Sequence, residues 1–254
     1  MAGRTLTCAA ASAALLLGSA ALASTAAADN GDDLTAQQLA QQAKDNLLKA
    51  KSVHLKLIDH SAGTATSKRQ PTAMDLSLDQ AGNCVGNLKM GANGGSVEIV
   101  KQGDEVWMKP DTAFWKSQVP GAQGGAVAEL FKDRYIHGST QDALLKGMAD
   151  TCDLRSFQQD IATDTSSDKA LTKGEETTVD DTKVIPLNGT EDGKAAVLYV
   201  TSDSPHRVVR ATQKGGGTDL ALAFSDYDKP VPTQTPPADE SVDVGKLQEE
   251  LQSL

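Results

Sequence analysis

Gly82-Asn83-Cys84-Val85-Gly86 has the outline of a nucleophile elbow with cysteine in the serine position. Such an elbow needs a strand before it, a helix after it and a histidine base in space. Here the run that follows, with Leu88 and Met90, alternates like a strand. The histidines are His54, His60, His137 and His206. They lack HExxH or any similar spacing, and a metal site needs three or four convergent ligands. They are expected to be solvated surface residues. Gly215-Gly216-Gly217 leads into a strand, so it lacks the helix N-terminus that would hold a phosphate. Asn188-Gly189-Thr190 matches a glycosylation sequon, but the Asn-Gly pair also suits a turn, and a turn is expected. The acidic residues are scattered, with no pair placed as acid and base. No catalytic residue, metal or cofactor is therefore expected, and the chain reads as a non-enzyme.

Export gives Cys84 a different role. Arg4 precedes an Ala/Leu-rich apolar run from Leu6 to Ala23, and small residues at Ala26-Ala27-Ala28 precede Asp29. This is the layout of a signal peptide over 1–28, cleaved near Ala28. Its removal takes Cys8 with it and leaves Cys84 and Cys152, an even count outside the cytoplasm. One disulfide between them is expected. Closing a loop of about 70 residues should stabilise by about 4 kcal/mol on the chain-entropy model. The net charge of −10 argues against nucleic acid, which needs a basic footprint. It also argues against electrostatic docking on anionic lipid. Any membrane or cell-envelope contact should be transient and apolar.

The elements are legible from periodicity. Thr35 and Gln38 form a capping box. Ala36, Leu39, Ala40, Ala43, Leu47 and Ala50 then share one helical face. Val53, Leu55 and Leu57 alternate with His54, Lys56 and Ile58. Similar runs hold Met74, Leu76 and Leu78, then Leu88 and Met90, then Val97 and Ile99, then Val106 and Met108. Gly82-Asn83, Gly91 to Gly95 and Gly103-Asp104 separate them. Short helices are expected around Val127–Phe131 and Asp142–Cys152. Strands return over Thr177–Val179, Thr182–Leu187, Ala196–Val200, Arg207–Thr212 and Leu220–Phe224, with an Asp180-Asp181 turn. A Pro-rich tail begins at about residue 229, with a short helix expected over Val244–Leu251. The layout predicts one α+β domain over 29–254, a single antiparallel sheet interrupted by helices. Two smaller sheets would leave apolar faces uncovered.

The predicted apolar sheet face holds Val53, Leu55, Leu57, Met74, Leu76, Leu78, Leu88, Met90, Val97, Ile99, Leu220, Leu222 and Phe224. Helices could pack tightly on it, giving an ordinary core, or sit over a curved sheet and leave room for acyl chains. Periodicity does not separate these cases. Trp107, Phe114 and Trp115 could likewise cap the core or form an exposed patch.

Val53-His54-Leu55 follows the first helix. Gly174 and Asp180-Asp181 precede Val184. Ala196–Val200 is followed by Ser204-Pro205-His206-Arg207-Val208. Leu220–Phe224 runs into Ser225-Asp226-Tyr227-Asp228-Lys229-Pro230-Val231 and then Pro236-Pro237-Ala238-Asp239-Glu240. This order of motifs resembles the LppX/LprAFG-type lipid-binding proteins, relatives of the LolA/LolB lipoprotein carriers, and the resemblance implies a LolA-like curved antiparallel half-barrel with helices over its concave face. It also implies a lipid or lipidated molecule as ligand, with the apolar residues above as cavity candidates. Members are often lipoproteins with a cysteine at the signal cleavage site, whereas Cys8 here lies near the start of the signal, before its apolar core and far from Ala28. The expectation is therefore an unanchored, secreted, monomeric carrier. The competing expectation is an extracytoplasmic interaction or sensor module with a packed core and no lipid.

Overall fold

The computed structural model describes residues 33–68, 70–119, 121–163 and 170–246. The expected signal peptide, and most of the helix expected over Val244–Leu251, lie outside the described residues.

The first helix, α1 (Ala36–Lys49), starts at the expected capping box. The Gln38 amide donates to Thr35 Oγ1 at 3.2 Å, and the Thr35 amide to Gln38 Oε1 at 2.9 Å. Its stripe of Ala36, Leu39, Ala40, Ala43 and Leu47 is buried, as is Ala50 just beyond it. The strands follow as β1 (Ser52–Asp59), β2 (Pro71–Asp79), β3 (Cys84–Met90), β4 (Ser96–Gln102) and β5 (Glu105–Pro110), with a short helix α2 (Ala62–Thr66) between the first two. Then come α3 (Thr112–Gln118), α4 (Gln123–Leu130), β6 (Tyr135–Ser139), α5 (Ala143–Asp150) and α6 (Leu154–Thr163). The second run of strands is β7 (Thr172–Lys173), β8 (Thr177–Val179), β9 (Thr182–Glu191), β10 (Lys194–Thr201), β11 (Val208–Gly215) and β12 (Thr218–Ser225), and β13 (Ser241–Asp243) closes the series.

All the strands join one open, curved sheet in the order β13-β6-β5-β4-β3-β2-β1-β12-β11-β10-β9-β7, with β8 also on β9. Pairing is antiparallel throughout except for β13, which runs parallel to β6. The first and last long strands, β1 and β12, meet in the middle of the sheet. Helices cover its inner face, giving the curved α+β half-barrel expected. The tail is built into this sheet: Val231, Val242 and Val244 are buried.

The two halves of the sheet are covered by different helices. The helix α3 lies against β4, α5 against β5 and β6, and α1 against β10, β11 and α6. Asp111 caps α3 by accepting from the Phe114 amide at 2.7 Å, and its other oxygen accepts from the Ser96 amide at 2.9 Å. That cap seats Phe114 and Trp115 in the core, where Trp115 meets Phe131 with ring centroids 6.0 Å apart. Neither aromatic is an exposed patch. Trp107 packs on the outer face instead, in a small cluster with Val100 and Tyr135, stacked on His137 at 4.6 Å.

Some sequence expectations are corrected. Asn188-Gly189 is inside β9, not in a turn; the turn is at Asp192-Gly193, both with positive φ. A side chain at Gly189 would meet Leu171 Cδ2 at 2.8 Å, so the glycine admits that leucine against the strand. His206 is buried at 1% exposure rather than solvated. Its ring Nδ1 lies 3.0 Å from the Thr201 carbonyl, and its own carbonyl accepts from Asn46 Nδ2 of α1 at 2.6 Å. The Asp180-Asp181 turn stands as expected, both residues having positive φ.

Candidate functional site

Inward rows run in register across β9–β12. One row joins Leu57, Leu222, Ala211, Leu198 and Leu187. The next, toward the β11–β12 turn, joins Asp59, Leu220, Gln213, Ala196 and Gly189. Directly opposed residues of antiparallel strands share a face, so both rows look toward α1 and α6. Between sheet and helices lies a cavity of about 360 Å³. Its roof is Ala40, Lys44 and Leu47 of α1 with Phe157 and Ile161 of α6, and Leu171 forms a side wall.

The cavity is closed at one end and open at the other. Leu187, Leu47, Val208 and Phe224 are each at most 5% exposed and shut the inner end. Phe157 and Phe224 face each other there with ring centroids 5.9 Å apart. Leu220, Ala196, Gln213 and Glu191 are partly exposed and form the mouth. Polar groups lie among the apolar lining, at Lys44, Thr190, Glu191 and Gln213. Gln213 Nε2 donates to Glu191 Oε2 at 3.3 Å.

The roof is held by a polar clasp. Gln158 of α6 is buried, and its Nε2 donates to the carbonyls of Leu47 and Ala50 at 2.9 and 2.8 Å. These carbonyls are at the end of α1, where acceptors run short of helical donors; Leu47 has only the Ala50 amide, at 3.3 Å. Gln80 Nε2 donates in turn to Gln158 Oε1 at 3.0 Å and to the Ala50 carbonyl at 3.1 Å. Asp153 fixes the start of α6 by accepting from the Ser156 amide at 3.0 Å. That amide, opposed by partial burial, holds the Asp153 carboxyl below its ordinary value. Just before it, Cys152 is disulfide-bonded to Cys84 of β3, with Cα atoms 5.6 Å apart. Cys84 thus carries no free thiol, and the elbow outline has no nucleophile.

The predicted cavity residues divide between the two halves of the sheet. Leu220, Leu222 and Phe224 line the cavity. Leu57 and Met74 are partly buried against the core without lining it. Val53, Leu55, Leu76, Leu78, Leu88, Met90, Val97 and Ile99 are buried, at 0–5% exposure, and do not line it. They share one packed cluster with Phe114, Trp115, Val127, Phe131 and Leu145 from α3–α5 and the turn after α4. Sequence reasoning missed α6 altogether. The signal was present: Asp153 as cap, then Leu154, Phe157, Gln158 and Ile161 at helical spacing. It also left out the shallow rows of β9–β11, whose small residues Ala196 and Ala211 form the cavity floor.

One constellation was invisible in the sequence. On the outer face, His54 Nδ1 lies 3.0 Å from Ser225 Oγ, and His54 Nε2 lies 2.6 Å from Asp75 Oδ1. Lys56 Nζ pairs with the other Asp75 oxygen at 3.0 Å. The order Ser–His–Asp has the look of a triad, but the ring is reversed: a triad's aspartate holds Nδ1 and its serine meets Nε2. None of the three residues lines the cavity. We read it as a polar cross-strand ladder tying β2, β1 and β12. Among the described residues, no three His, Cys, Asp or Glu side chains converge to hold a metal. No helix among them is long and apolar enough to cross a membrane.

Known structures of similar shape put this cavity in context. LprF from Mycobacterium bovis superposes with a TM-score of 0.54 at 15% identity, covering 80% of this chain and 97% of LprF. The chain has the LprF fold. The lipoprotein LppX of Mycobacterium tuberculosis matches less closely, with a TM-score of 0.47 at 15% identity over 78% of this chain and 98% of LppX. No family model matches the sequence, and no curated protein matches it. The likeness read from motif order, to the LppX/LprAFG type, agrees with the LprF fold.

Proposed function

We propose that the protein is an exported, non-enzymatic carrier that holds an apolar ligand between α1, α6 and β9–β12. The observation that carries this reading is an apolar cavity of about 360 Å³ on one half of a sheet whose other half is mostly buried core. Ligand pockets run from about 300 to 1,000 Å³ and are mostly apolar with a few placed polar groups. Burial is worth about 0.8 kcal/mol per methylene, offset by the cost of ordering ligand and site. The LprF fold supports the carrier reading. The working unit is the single domain after a leader cleaved near Ala28, monomeric, with the tail from about residue 229 as its closing strap. Contact with the cell envelope would be brief, at the open mouth.

The test places bulk on the cavity floor. Ala211 lies between Leu222 and Leu198 in the inward row. Ala211→Trp should weaken uptake of the apolar fluorophore N-phenyl-1-naphthylamine by roughly tenfold or more, which is at least about 1.4 kcal/mol. Fold and thermal midpoint should stay near those of the parent. Equal uptake by parent and variant would move the site elsewhere or remove it.

A further inference from the structure

We propose that the protein has a second binding site, for a phosphate-type oxyanion, in a solvent-open depression on the far side of the Gln80–Gln158 clasp. The inference does not depend on the carrier reading. The depression, of about 460 Å³, is walled by Lys51 and Ser52 after α1, the β2–β3 turn at Asp79–Ala81, Arg155 in the first turn of α6, and the tail from Asp228 to Val231.

The charged groups on its walls are Lys51, Arg155 and Lys229 against Asp79 and Asp228. The carboxylates are taken up by the frame. Asp79 Oδ1 accepts from the amides of Ala81 and Asn83 at 2.8 and 2.9 Å, and its Oδ2 accepts from Asn83 Nδ2 at 2.9 Å. Asp228 Oδ1 accepts from the Lys51 amide at 2.9 Å, and its Oδ2 pairs with Arg207 at 3.3 Å. Asp153, beside Arg155, accepts from the Ser156 amide and hydroxyl. Lys229 is paired with Asp226 at 2.6 Å. The Lys51 ammonium and the Arg155 Nη groups, in contrast, make no hydrogen bond or ion pair among the described residues.

The rim that carries these two cations is pinned. Arg155 Nε donates to the Gln80 carbonyl at 2.6 Å, which orients the guanidinium and leaves its Nη edge to bind. The Gln80 amide donates to the Lys51 carbonyl at 2.9 Å. Buried Ser52 holds the tail, its Oγ donating to the Lys229 carbonyl at 2.5 Å. A planar guanidinium fork and a compact ammonium on one rim suit an anion with several oxygens, through charge-assisted hydrogen bonds. The net charge of −10 works against any anion. Binding must therefore come from direct contact, with affinity in the millimolar range.

Nuclear magnetic resonance titration of the isotope-labelled protein with inorganic phosphate tests the site, with chloride at equal ionic strength as the reference. Amide shifts at Lys51, Gln80, Ala81 and Arg155 should saturate with phosphate only. Lys51→Gln, which removes no bond present in the fold, should weaken binding by roughly tenfold, the worth of one charge-assisted hydrogen bond. Arg155→Gln should do the same, and Lys132→Gln, after α4, should change nothing. Shifts that follow chloride equally, or that survive in both the Lys51 and Arg155 variants, would overturn the proposal. Flotation with phosphatidylcholine vesicles containing phosphatidic acid separates the sources of the phosphate group. Saturation by free phosphate without flotation assigns a free phosphate or soluble ester, and flotation that Lys51→Gln abolishes assigns a lipid headgroup. Neither saturation nor flotation would also overturn the site.

Discussion

At the scale of single residues, polar side chains do more positional work than their exposure suggests. His54 is the hub of the outer ladder, and its hydrogen bond is the main reason the Asp75 carboxyl sits below its ordinary value of 3.8. Partial burial opposes this, and Lys56 assists. A carboxyl with a depressed folded value contributes stability above its unfolded value and loses it as pH falls through the folded one. Asp75 therefore helps at neutral pH, and its contribution declines as pH falls below about 4 and through the lower folded value. Asp75→Asn should lower the thermal midpoint at neutral pH, and the gap between parent and variant should close at about pH 2. A gap of constant size across that range would show that Asp75 acts through packing or shape. Neither partner of this ladder could be read from the sequence. His54 and Ser225 are 171 positions apart and meet only because β1 and β12 pair at the centre of the sheet.

At the scale of elements, the cavity depends on how two helices are held. The helix α1 was legible in full, cap and apolar stripe alike, because its signals are local. Of the shorter helices, α4 and α5 were recognised near their places. The helix α6 was passed over, although its cap and spacing were available, because the reading ended the helical region at Cys152. The turn assigned to Asn188-Gly189 failed for a physical reason: glycine served close packing against Leu171 there, not backbone reversal. Gln158 joins α6 to the end of α1 through two hydrogen bonds, to the Leu47 and Ala50 carbonyls, and accepts a third from Gln80. Gln158→Leu keeps the bulk but leaves the Leu47 carbonyl without that donor. The Leu47 carbonyl keeps the Ala50 amide at 3.3 Å and the Ala50 carbonyl keeps Gln80 Nε2 at 3.1 Å, so the loss is that of net hydrogen bonds, about 0.5–1.5 kcal/mol each. We expect a destabilisation of that order by urea unfolding and faster hydrogen exchange at the end of α1. Stability equal to the parent's would show that the clasp is dispensable.

At the scale of the molecule, one sheet serves two purposes. The half from β1 to β6 is a core, and the half from β9 to β12 is a cavity floor. Strand alternation predicted the sheet and its inner face because it reports only which side chains turn inward. It does not report which helix lies above them or how closely. That is why most of the expected cavity residues are buried away from the open space, which Leu220, Leu222 and Phe224 line. The distinction has a consequence at equal chemistry. Leu76 is 1% exposed in the packed half, so Leu76→Trp should overpack the core and cost about 1–3 kcal/mol or more. The same bulk at Ala211 should cost far less stability and remove binding. Chemical denaturation of the two variants side by side would show it, and similar losses for both would mean that the β9–β12 half is packed as well.

The most direct test of the carrier account is native mass spectrometry of the protein as secreted by an exporting host, before any delipidation, followed by organic extraction. The account requires a stoichiometric adduct of lipid mass that organic solvent removes and that Ala211→Trp lacks. A bare protein mass, unchanged after incubation with a lipid extract, would contradict it.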